Sequence, residues 1–459
     1  MPREPELSVE RRGIEFVPHA ERYGTPRRLF TIWFSINLGL LCLTAGTLGV
    51  MGGLPLGATL IALTLGNVIG TVFMAAHSAQ GPHLGIPQMI QSRAQFGVIG
   101  AGLPLLAVVA AATLFTAADG VIIRETIQMI VPLKDSGAMV LFATITLIVG
   151  FFGYELIHRL GATLSVLSGV LFLIVAAIVL IQGHASGPRP IQTTHFTTSA
   201  FIVTLTQATS FSLCSAPYVA DYSRYIPMTV SSWKTFWFTG AGNFLGTALI
   251  MGLGAYIASS NPYLAHHLGV GIAGLFGPGR YLVGILIVAG LLQVNVMNLY
   301  SAYMSTVTIF TGIRRMNRIG LIPKFMVMFT LMAVATTIAI ATKDNFDRYF
   351  ADVLNVLVSI LVPWSAINLA DYYLVRKGQY VVDQVYDVNG IYGRYQWKSI
   401  AVYLLGILIQ VPFIRLSFYV GPLVPFIGAD VAWLPGMTIP TLVYWLISAP
   451  HVNELRVAS

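Results

Sequence analysis

The sequence predicts an all-α integral membrane protein, from its composition and from the length of its apolar runs. Hydrophobic residues make up 56% of the 459-residue chain, charged residues only 10%, and the mean hydropathy is +0.76. A soluble domain carries about 25% charged residues because its surface faces water. The apolar runs here are long enough for membrane-spanning helices, which satisfy their backbone polar groups internally. Lipid is therefore the expected solvent for most of the chain.

Twelve apolar runs are candidate transmembrane helices, called segments 1 to 12. They span residues 30–51, 55–76, 98–125, 138–152, 160–182, 199–220, 235–258, 280–304, 325–341, 353–375, 398–418 and 432–449. Together they predict one membrane domain over residues 30–449. A polar tail, 1–29, precedes this domain, and a short tail, 450–459, follows it.

The distribution of positive charge predicts the orientation of these segments. An even number of segments places both termini on the same side of the membrane. If that side is the cytoplasm, 19 of the 26 Lys and Arg residues lie there, as the positive-inside rule requires. Residues 1–29 lack the apolar core of a signal peptide. We expect a multi-pass protein of the cell inner membrane with cytoplasmic termini, whose basic charge contacts anionic lipid rather than nucleic acid.

Enzymatic function is not expected from this sequence. It contains no phosphate-binding loop, zinc motif or serine nucleophile elbow. The longest polar insert, residues 376–398, is too short for an independent catalytic domain. The two cysteines lie in apolar segments without metal-ligand spacing. Neither a bound cofactor nor a metal site is therefore predicted.

Two segments contain residues that interrupt a helix inside the membrane, where transporters often bind substrate and ions. In segment 1, the stretch WFSINLGLLCLTAGTLG (33–49) contains Asn37 and three glycines. In segment 6, small polar residues crowd QATSFSLCSAPYVADYSRY (207–225), where Pro217 removes a backbone donor. The two segments are five apart, as in a five-plus-five inverted repeat over 30–182 and 199–375. Tight helix packing through small residues is the alternative interpretation.

Asp119 is the most informative residue, because it places a carboxylate inside segment 3, in the stretch FTAADGVIIRET (115–126). An acidic residue at the centre of a membrane helix costs about 2.5–3.5 kcal/mol and usually faces a cavity or a partner. Phe115 lies one turn earlier on the same face. The ring can stack on a flat heterocycle while the carboxylate accepts its N–H groups or exchanges a proton. A fixed salt bridge, for example with Arg124, is the alternative.

Segment 8 contributes two asparagines, Asn295 and Asn298, within LLQVNVMNLYSAYMS (291–305). They are three residues apart, so they are expected on one helix face, and each offers a donor and an acceptor. They are candidates for binding a polar substrate, with hydrogen bonding between helices as the alternative. Asp371, near Arg376 at a predicted cytoplasmic helix end, is expected to anchor that end or to close a gate.

Several stretches, in a fixed order, resemble the purine–cytosine permease family of nucleobase:cation symporters. They include GPHLGIPQMIQSRAQFGVIGAGLP (81–104), FFGYELIHRLG (151–161), YVADYSRYIP (218–227), NLYSAYMS (298–305) and VPWSAINLADYYLVRKGQYVVDQVYDVNGIYGRYQWK (362–398). The resemblance runs from about residue 11 to about residue 420. It implies the five-plus-five inverted-repeat fold of leucine-type transporters, with two extra C-terminal helices over about 398–449. It also implies alternating access and cation-coupled uptake of a small heterocycle, such as cytosine or a purine, by a monomer.

The resemblance also implies which residues bind the base. In that family an aromatic residue on segment 3 and another on segment 6 sandwich the base, and polar side chains of segments 3 and 8 bind its edge. Phe115 stands at the first aromatic position, and Phe211 or Ser212 at the second. Asn295 and Asn298 match the polar positions of segment 8.

The coupling ion is expected to be a proton rather than sodium. Asp119 stands where relatives commonly carry an amide, so it is the candidate proton carrier. Sodium-coupled relatives carry hydroxyls upstream of the segment-8 asparagines, whereas here the stretch is IVAGLLQVN (287–295). Binding of sodium would then depend on backbone carbonyls near Asn37, Gly39 and Leu41.

Two further interpretations stay open at this point. The substrate can be a related heterocycle, namely a hydantoin, allantoin, a nucleoside or a vitamin, since the sequence does not define the pocket size. The protein can instead be a membrane sensor that binds without transporting, although no soluble signalling module is visible in the sequence.

Overall fold

A computed structural model describes residues 14–152, 154–182, 195–313 and 320–457 of the chain. These residues form helices and connecting loops, and within those ranges the only β-type pairing is an isolated bridge between Arg415 and Val420. The prediction of an all-α protein is therefore confirmed. Residues 1–13 of the predicted N-terminal tail lie outside the described ranges.

A helix lies in each of the twelve predicted segments. Numbered in chain order, the helices are α1 (Pro26–Ile36), α2 (Leu40–Met51), α3 (Leu56–Ser78), α4 (Gly81–Leu84), α5 (Gln88–Phe96), α6 (Gly102–Ile130), α7 (Asp135–Phe152), α8 (Tyr154–Gln182), α9 (Thr198–Leu213), α10 (Ala216–Ser223), α11 (Ser232–Ser260), α12 (Pro262–His266), α13 (Leu268–Gly274), α14 (Arg280–Ile313), α15 (Leu321–Thr342), α16 (Phe346–Leu369), α17 (Trp397–Leu408), α18 (Val424–Ile427) and α19 (Trp433–Val457). A π-helical turn, Ala370–Val375, extends α16.

Fewer stretches than the twelve predicted segments meet the length and hydropathy of a membrane-spanning helix. Seven helical stretches of the described ranges are long and apolar enough to cross a membrane, or eight if α1 and α2 count as one span. One of the seven, Leu321–Val375, contains both α15 and α16. Twelve crossings and the inverted repeat therefore stay predictions.

Several helix ends differ from the predicted boundaries, and two of them change the ends of the last two segments. Segment 11 was expected to continue to residue 418, but α17 ends at Leu408. The Gln410 side chain donates to the carbonyl of Gly406 at 2.7 Å, which satisfies a backbone acceptor at this end, and Pro412 cannot continue the helical pattern. At the other end of the domain, α19 extends to Val457, into the predicted C-terminal tail.

Both predicted interruptions are present as breaks between consecutive helices. Asn37–Gly39 separates α1 from α2, which are bent by 60°. The Asn37 amide donates to the carbonyl of Trp33 at 2.7 Å and so satisfies an acceptor at the end of α1. Cys214 and Ser215 separate α9 from α10. Each break leaves backbone groups outside the regular helical hydrogen bonds, where a ligand can reach them.

Close helix packing holds the two broken pairs in one bundle. A Cβ atom added at Gly46 of α2 would overlap the carbonyl oxygen of Met251 in α11, and one added at Gly254 would overlap that of Leu43. The backbones of α2 and α11 therefore touch, as small residues allow in membrane helices. α11 also packs against α1 and α3, and α3 packs against α9. A second group, α6, α7, α14 and α15, packs on itself.

Candidate functional site

A central cavity lies where the two helix breaks face α6 and α14. It encloses about 1120 Å³, including space open to solvent. From the breaks it is lined by Ile36, Asn37, Leu41, Phe211, Cys214, Ser215 and Pro217, and from α6 and α14 by Phe115, Val294, Met297, Asn298, Ser301 and Ser305. Its far end, toward the predicted cytoplasmic side, is lined by Ile14, Pro87 and Arg224. Mostly apolar walls with a few polar groups are typical of small-molecule sites.

Three phenylalanines form a cluster at the other end of this cavity, called the phenylalanine cluster below. Phe115 and Phe211 meet edge to face, with ring centroids 6.2 Å apart and planes at 85°. Phe350 of α16 meets Phe115 in the same way, at 6.5 Å and 77°. Edge-to-face contact of this kind is a favourable aromatic arrangement. The two rings expected to sandwich a base therefore touch each other, and a base can enter between them only if they separate.

Asp119 lies behind the cavity wall rather than in it. The side chain is fully buried, and its Oδ2 accepts from the Asn298 amide at 3.5 Å. Its Oδ1 has no hydrogen-bond partner among the described residues. The alternative interpretation, a salt bridge with Arg124, is wrong, because Arg124 pairs instead with Glu125 at 3.3 Å and with Asp135 at 3.9 Å.

The two asparagines of α14 face different neighbours. Asn298 lines the central cavity and contacts Asp119. Asn295 is fully buried and donates to the hydroxyl of Thr146 in α7 at 3.2 Å, beside a much smaller void. Residues three apart on a helix differ by about 60° in direction, which in a crowded bundle is enough to direct them to different partners. The expectation that they share one face holds only approximately.

The structure separates the two candidates on segment 6. Phe211 lines the central cavity and contacts Phe115. Ser212 is buried on another side of α9 and donates to the carbonyl oxygen of the Asn67 side chain at 3.0 Å. Phe211 is therefore the candidate that faces a ligand in the central cavity.

The residues named for a sodium site lie at the break of segment 1. Asn37 and Leu41 line the central cavity, and the Asn37 amide also donates to the side-chain carbonyl of Asn243 at 3.1 Å. Gly39 precedes α2, and a Cβ atom added there would meet nothing within 4 Å. The side chain of Asn37 is thus occupied in holding α1 to α11.

Two features of the cavity were not predicted from the sequence. Phe350 stands in the charged stretch KDNFDRYFAD (343–352), just before predicted segment 10, and no motif there marks it as part of a site. Ser301, Ser305 and Thr308 line the cavity along one face of α14, toward the end that also carries Ile14. Their spacing of four and three residues is a helical pattern, so this polar face could have been recognised.

Comparison with known proteins shows which family the chain resembles. The sequence model for permeases for cytosine/purines, uracil, thiamine and allantoin matches residues 16–436. The Bacillus subtilis protein YxlA, provisionally named a purine–cytosine permease, is 38% identical over 456 residues, 98% of each chain. The purine–cytosine permeases FCY2 of Saccharomyces cerevisiae and fcyB of Emericella nidulans are each 23% identical. These matches cover 81% and 82% of this chain and 72% and 76% of those proteins.

Two solved structures share the fold of this chain. The inward-facing conformation of Mhp1 superposes with a TM-score of 0.75 at 15% identity, covering 100% of this chain and 96% of that one. A closed conformation of Mhp1, a nucleobase-cation-symport-1 family transporter with bromovinylhydantoin bound, gives a TM-score of 0.72 at 17% identity, covering 98% and 96%. The protein is thus a multi-pass membrane transporter rather than an enzyme. It belongs to the family of permeases for cytosine/purines, uracil, thiamine and allantoin.

Proposed function

We propose that the protein takes up a nucleobase, such as cytosine or a purine, in symport with a cation. The observation that carries this proposal is the central cavity, whose wall combines Phe115 and Phe211 with the amide of Asn298. An aromatic ring binds the face of a flat base, and an amide binds its hydrogen-bonding edge. Similarity to purine–cytosine permeases supports the same class of substrate.

The proposed mechanism is alternating access. In the present conformation the phenylalanine cluster separates the central cavity from the outer end of the bundle, while the cavity extends toward Ile14 and Arg224. In the opposite conformation the cluster would separate, admit a base between Phe115 and Phe211, and close the inner end.

The proposed coupling ion is a proton carried by Asp119. The Oδ1 atom has no described hydrogen-bond partner, so it offers a position for a proton without displacing a donor of the protein. Asn298 contacts both this carboxylate and the cavity, so a base bound at Asn298 can influence proton binding through one hydrogen bond. Sodium, which needs several oxygen ligands, would have to use the break at residues 37–41, where Asn37 is already engaged with α11.

Uptake into proteoliposomes tests both parts of this proposal. Radiolabelled cytosine, adenine, hypoxanthine, uracil and allantoin are offered with an inward proton gradient, an inward sodium gradient or neither. We expect accumulation of a nucleobase under the proton gradient alone. In Asp119→Asn, we expect loss of this accumulation with retained binding of the base, because the amide keeps the shape but cannot release a proton.

Other results would redirect the proposal. Sodium-driven uptake that survives in Asp119→Asn would restrict Asp119 to recognition and contradict its role as proton carrier. Uptake of allantoin alone would indicate that the substrate is not a nucleobase but a related heterocycle, such as a hydantoin, a nucleoside or a vitamin. Binding of a base without accumulation under any gradient would favour a non-transporting sensor.

We further propose that the protein functions as a monomer in the cell inner membrane with both termini in the cytoplasm. The excess of Lys and Arg in the segments assigned to that side supports this orientation. A cysteine introduced at Ser417, in the loop before α18, should react with impermeant thiol reagents added to intact cells. A thiol at Gln379, an exposed position in the loop before α17, should react only after permeabilisation, and the reverse pattern would invert the topology.

A further inference from the structure

A second cavity, called the outer cavity, lies on the opposite side of the phenylalanine cluster from the central cavity. It encloses about 1540 Å³, including space open to solvent. The end of α2 and the beginnings of α9 and α16 form its walls, together with α12 and the loop that carries Arg415. Gln207 of α9 lines the outer cavity, and Phe211, one turn later, lines the central cavity. About 6 Å of helix thus separates the two cavities along α9.

Gln207 is a polar group with no partner at the wall of this cavity. The residue is only 7% exposed and lines the cavity, and its side-chain amide makes no hydrogen bond to any residue that the structure describes. The neighbouring hydroxyl of Thr204 is satisfied, because it donates to the carbonyl of Ala200 at 2.8 Å. Its amide atoms are open to the cavity rather than sealed in the protein, so they are available to pair with a ligand or water there.

Charged groups of both signs line the outer cavity together with Gln207. Arg415 donates from Nη1 to the hydroxyl of Ser199 at 2.7 Å, and both residues line the cavity. Elsewhere in the lining, Nδ1 of His266 in α12 lies 3.4 Å from Oδ2 of Asp347 in α16. A free anion would be repelled by Asp347, and a free cation would be repelled by Arg415. The cavity therefore suits a neutral ligand that carries both donors and acceptors.

We infer that the outer cavity is a second binding site for a neutral, flat nitrogen heterocycle, whose edge pairs with the amide of Gln207. The identity of this ligand rests on the proposed function. An amide presents an N–H donor beside a carbonyl acceptor, which matches an adjacent acceptor and donor on the edge of a nucleobase. A base bound here lies one helical turn from Phe211 and passes into the central cavity when the phenylalanine cluster separates.

Protection of an introduced thiol tests this site. Ala351 lines the outer cavity one turn after Asp347, and Ala351→Cys adds a small reactive group to that wall. The native Cys42 and Cys214 are 2% and 8% exposed, and the unsubstituted protein gives the background. Full-length protein in right-side-out proteoliposomes is labelled with an impermeant methanethiosulfonate, with or without cytosine, adenine, hypoxanthine or uracil. We expect at least one base to slow the labelling of Ala351→Cys.

Two further variants test which contact is responsible. In Gln207→Leu, we expect the base concentration for half-maximal protection to rise about three- to tenfold, the value of one hydrogen bond. Ser260→Cys, at the end of α11 and outside the outer cavity, is the matched control and should label at the same rate with and without base.

The Phe115→Ala background separates the outer site from the central one, because Phe115 lines only the central cavity. Protection that persists in this background supports the outer site. Protection by none of the four bases, or protection that disappears with Phe115→Ala, would overturn it. Uptake of the base is measured on the same samples. Transport of a base that does not slow the labelling of Ala351→Cys would refute the outer site and leave the proposed function intact. Protection without transport supports the outer site and contradicts the proposed function.

Discussion

The side-chain amide of Asn298 lies 3.5 Å from Oδ2 of Asp119 and also lines the central cavity. Asp119 itself is fully buried and has no place in the cavity wall. Asn298 is therefore the group through which a bound base and the buried carboxylate can affect each other. This relationship assigns different roles to two polar residues that the sequence presents as equivalent, Asn295 and Asn298.

Removal of the Asn298 amide should weaken binding of the base. We expect Asn298→Ala to raise the dissociation constant of the transported base about tenfold, since it removes one or two hydrogen bonds to the ligand. Equilibrium binding of the radiolabelled base to purified protein measures this change.

Asn295→Ala is the matched control for that measurement. Its amide bonds to Thr146 at 3.2 Å and faces away from the central cavity, so we expect a lower melting temperature and a much smaller change in affinity. Equal losses of affinity in the two variants would contradict the assignment of separate roles.

Phe350 should be required to seal the central cavity from the outside. It meets Phe115 at 6.5 Å, and its truncation removes a large part of the phenylalanine cluster. We expect Phe350→Ala to let an impermeant thiol reagent reach Cys214, which lines the central cavity, from the outer side. Mass spectrometry of the labelled peptide measures this access.

The control for this prediction is Phe329→Ala, on an exposed position of α15 that is 50% accessible. It should leave Cys214 unlabelled from the outside, as in the unsubstituted protein. Unchanged protection of Cys214 in Phe350→Ala would show that another element forms the seal.

Asp371 should be an anchor of the predicted cytoplasmic end. The carboxylate is fully buried, lies 3.1 Å from Nε of Arg376, and accepts from Gln95 at 2.9 Å, Tyr380 at 2.6 Å and Tyr444 at 2.8 Å. These contacts join α5, the end of α16, the loop after it and α19. We expect Asp371→Asn to lower the free energy of unfolding by about 3 kcal/mol, because it removes the carboxylate that neutralises a largely buried cation.

Thermal unfolding in detergent measures this effect, with Asp344→Asn as its control. The side chain of Asp344 is 78% exposed and pairs with Lys343, so its loss should change stability by less than about 1 kcal/mol. A melting temperature of Asp371→Asn that matches Asp344→Asn would refute the role as anchor.

Gly46 should tolerate no side chain. A Cβ atom there would overlap the backbone of Met251, so we expect Gly46→Ala to destabilise the fold by about 1–3 kcal/mol through forced separation of α2 and α11. Gly57→Ala is the matched control, because a Cβ atom at Gly57 meets nothing within 4 Å and alanine favours a helix by about 1 kcal/mol. The yield of monodisperse protein in size-exclusion chromatography distinguishes the two, and equal yields would contradict the close packing.

Much of the fold was predictable from local patterns. Apolar runs indicate helices because lipid leaves backbone groups no other partner, and each run here contains a helix. Both helix breaks were also predictable, since Asn37, the nearby glycines and Pro217 weaken helices wherever they stand. Helix ends were less predictable: α17 stops at Leu408 because Gln410 folds back onto the carbonyl of Gly406, a contact that apolar patterning does not reveal.

The candidate site was predictable in its residue types and not in its geometry. The sequence identified Phe115, Asp119 and Asn298 as unusual residues for a membrane segment, and the structure brings all three to one region between α6 and α14. It could not decide between Phe211 and Ser212, because one residue corresponds to about 100° around a helix and the rotation of α9 depends on its neighbours. The contact of Ser212 with Asn67 decides that rotation.

The sequence by itself determined that this chain is an all-α membrane protein, where two of its helices break, and which family it resembles. Each of these follows from composition, from local helix propensity or from an ordered series of motifs, none of which depends on contacts between distant segments. Only the tertiary structure decided that Asp119 lies behind Asn298, that Phe350 joins Phe115 and Phe211, and that Gln207 faces an outer cavity. These relationships join helices far apart in the chain, and they depend on how each helix rotates to pack against its neighbours.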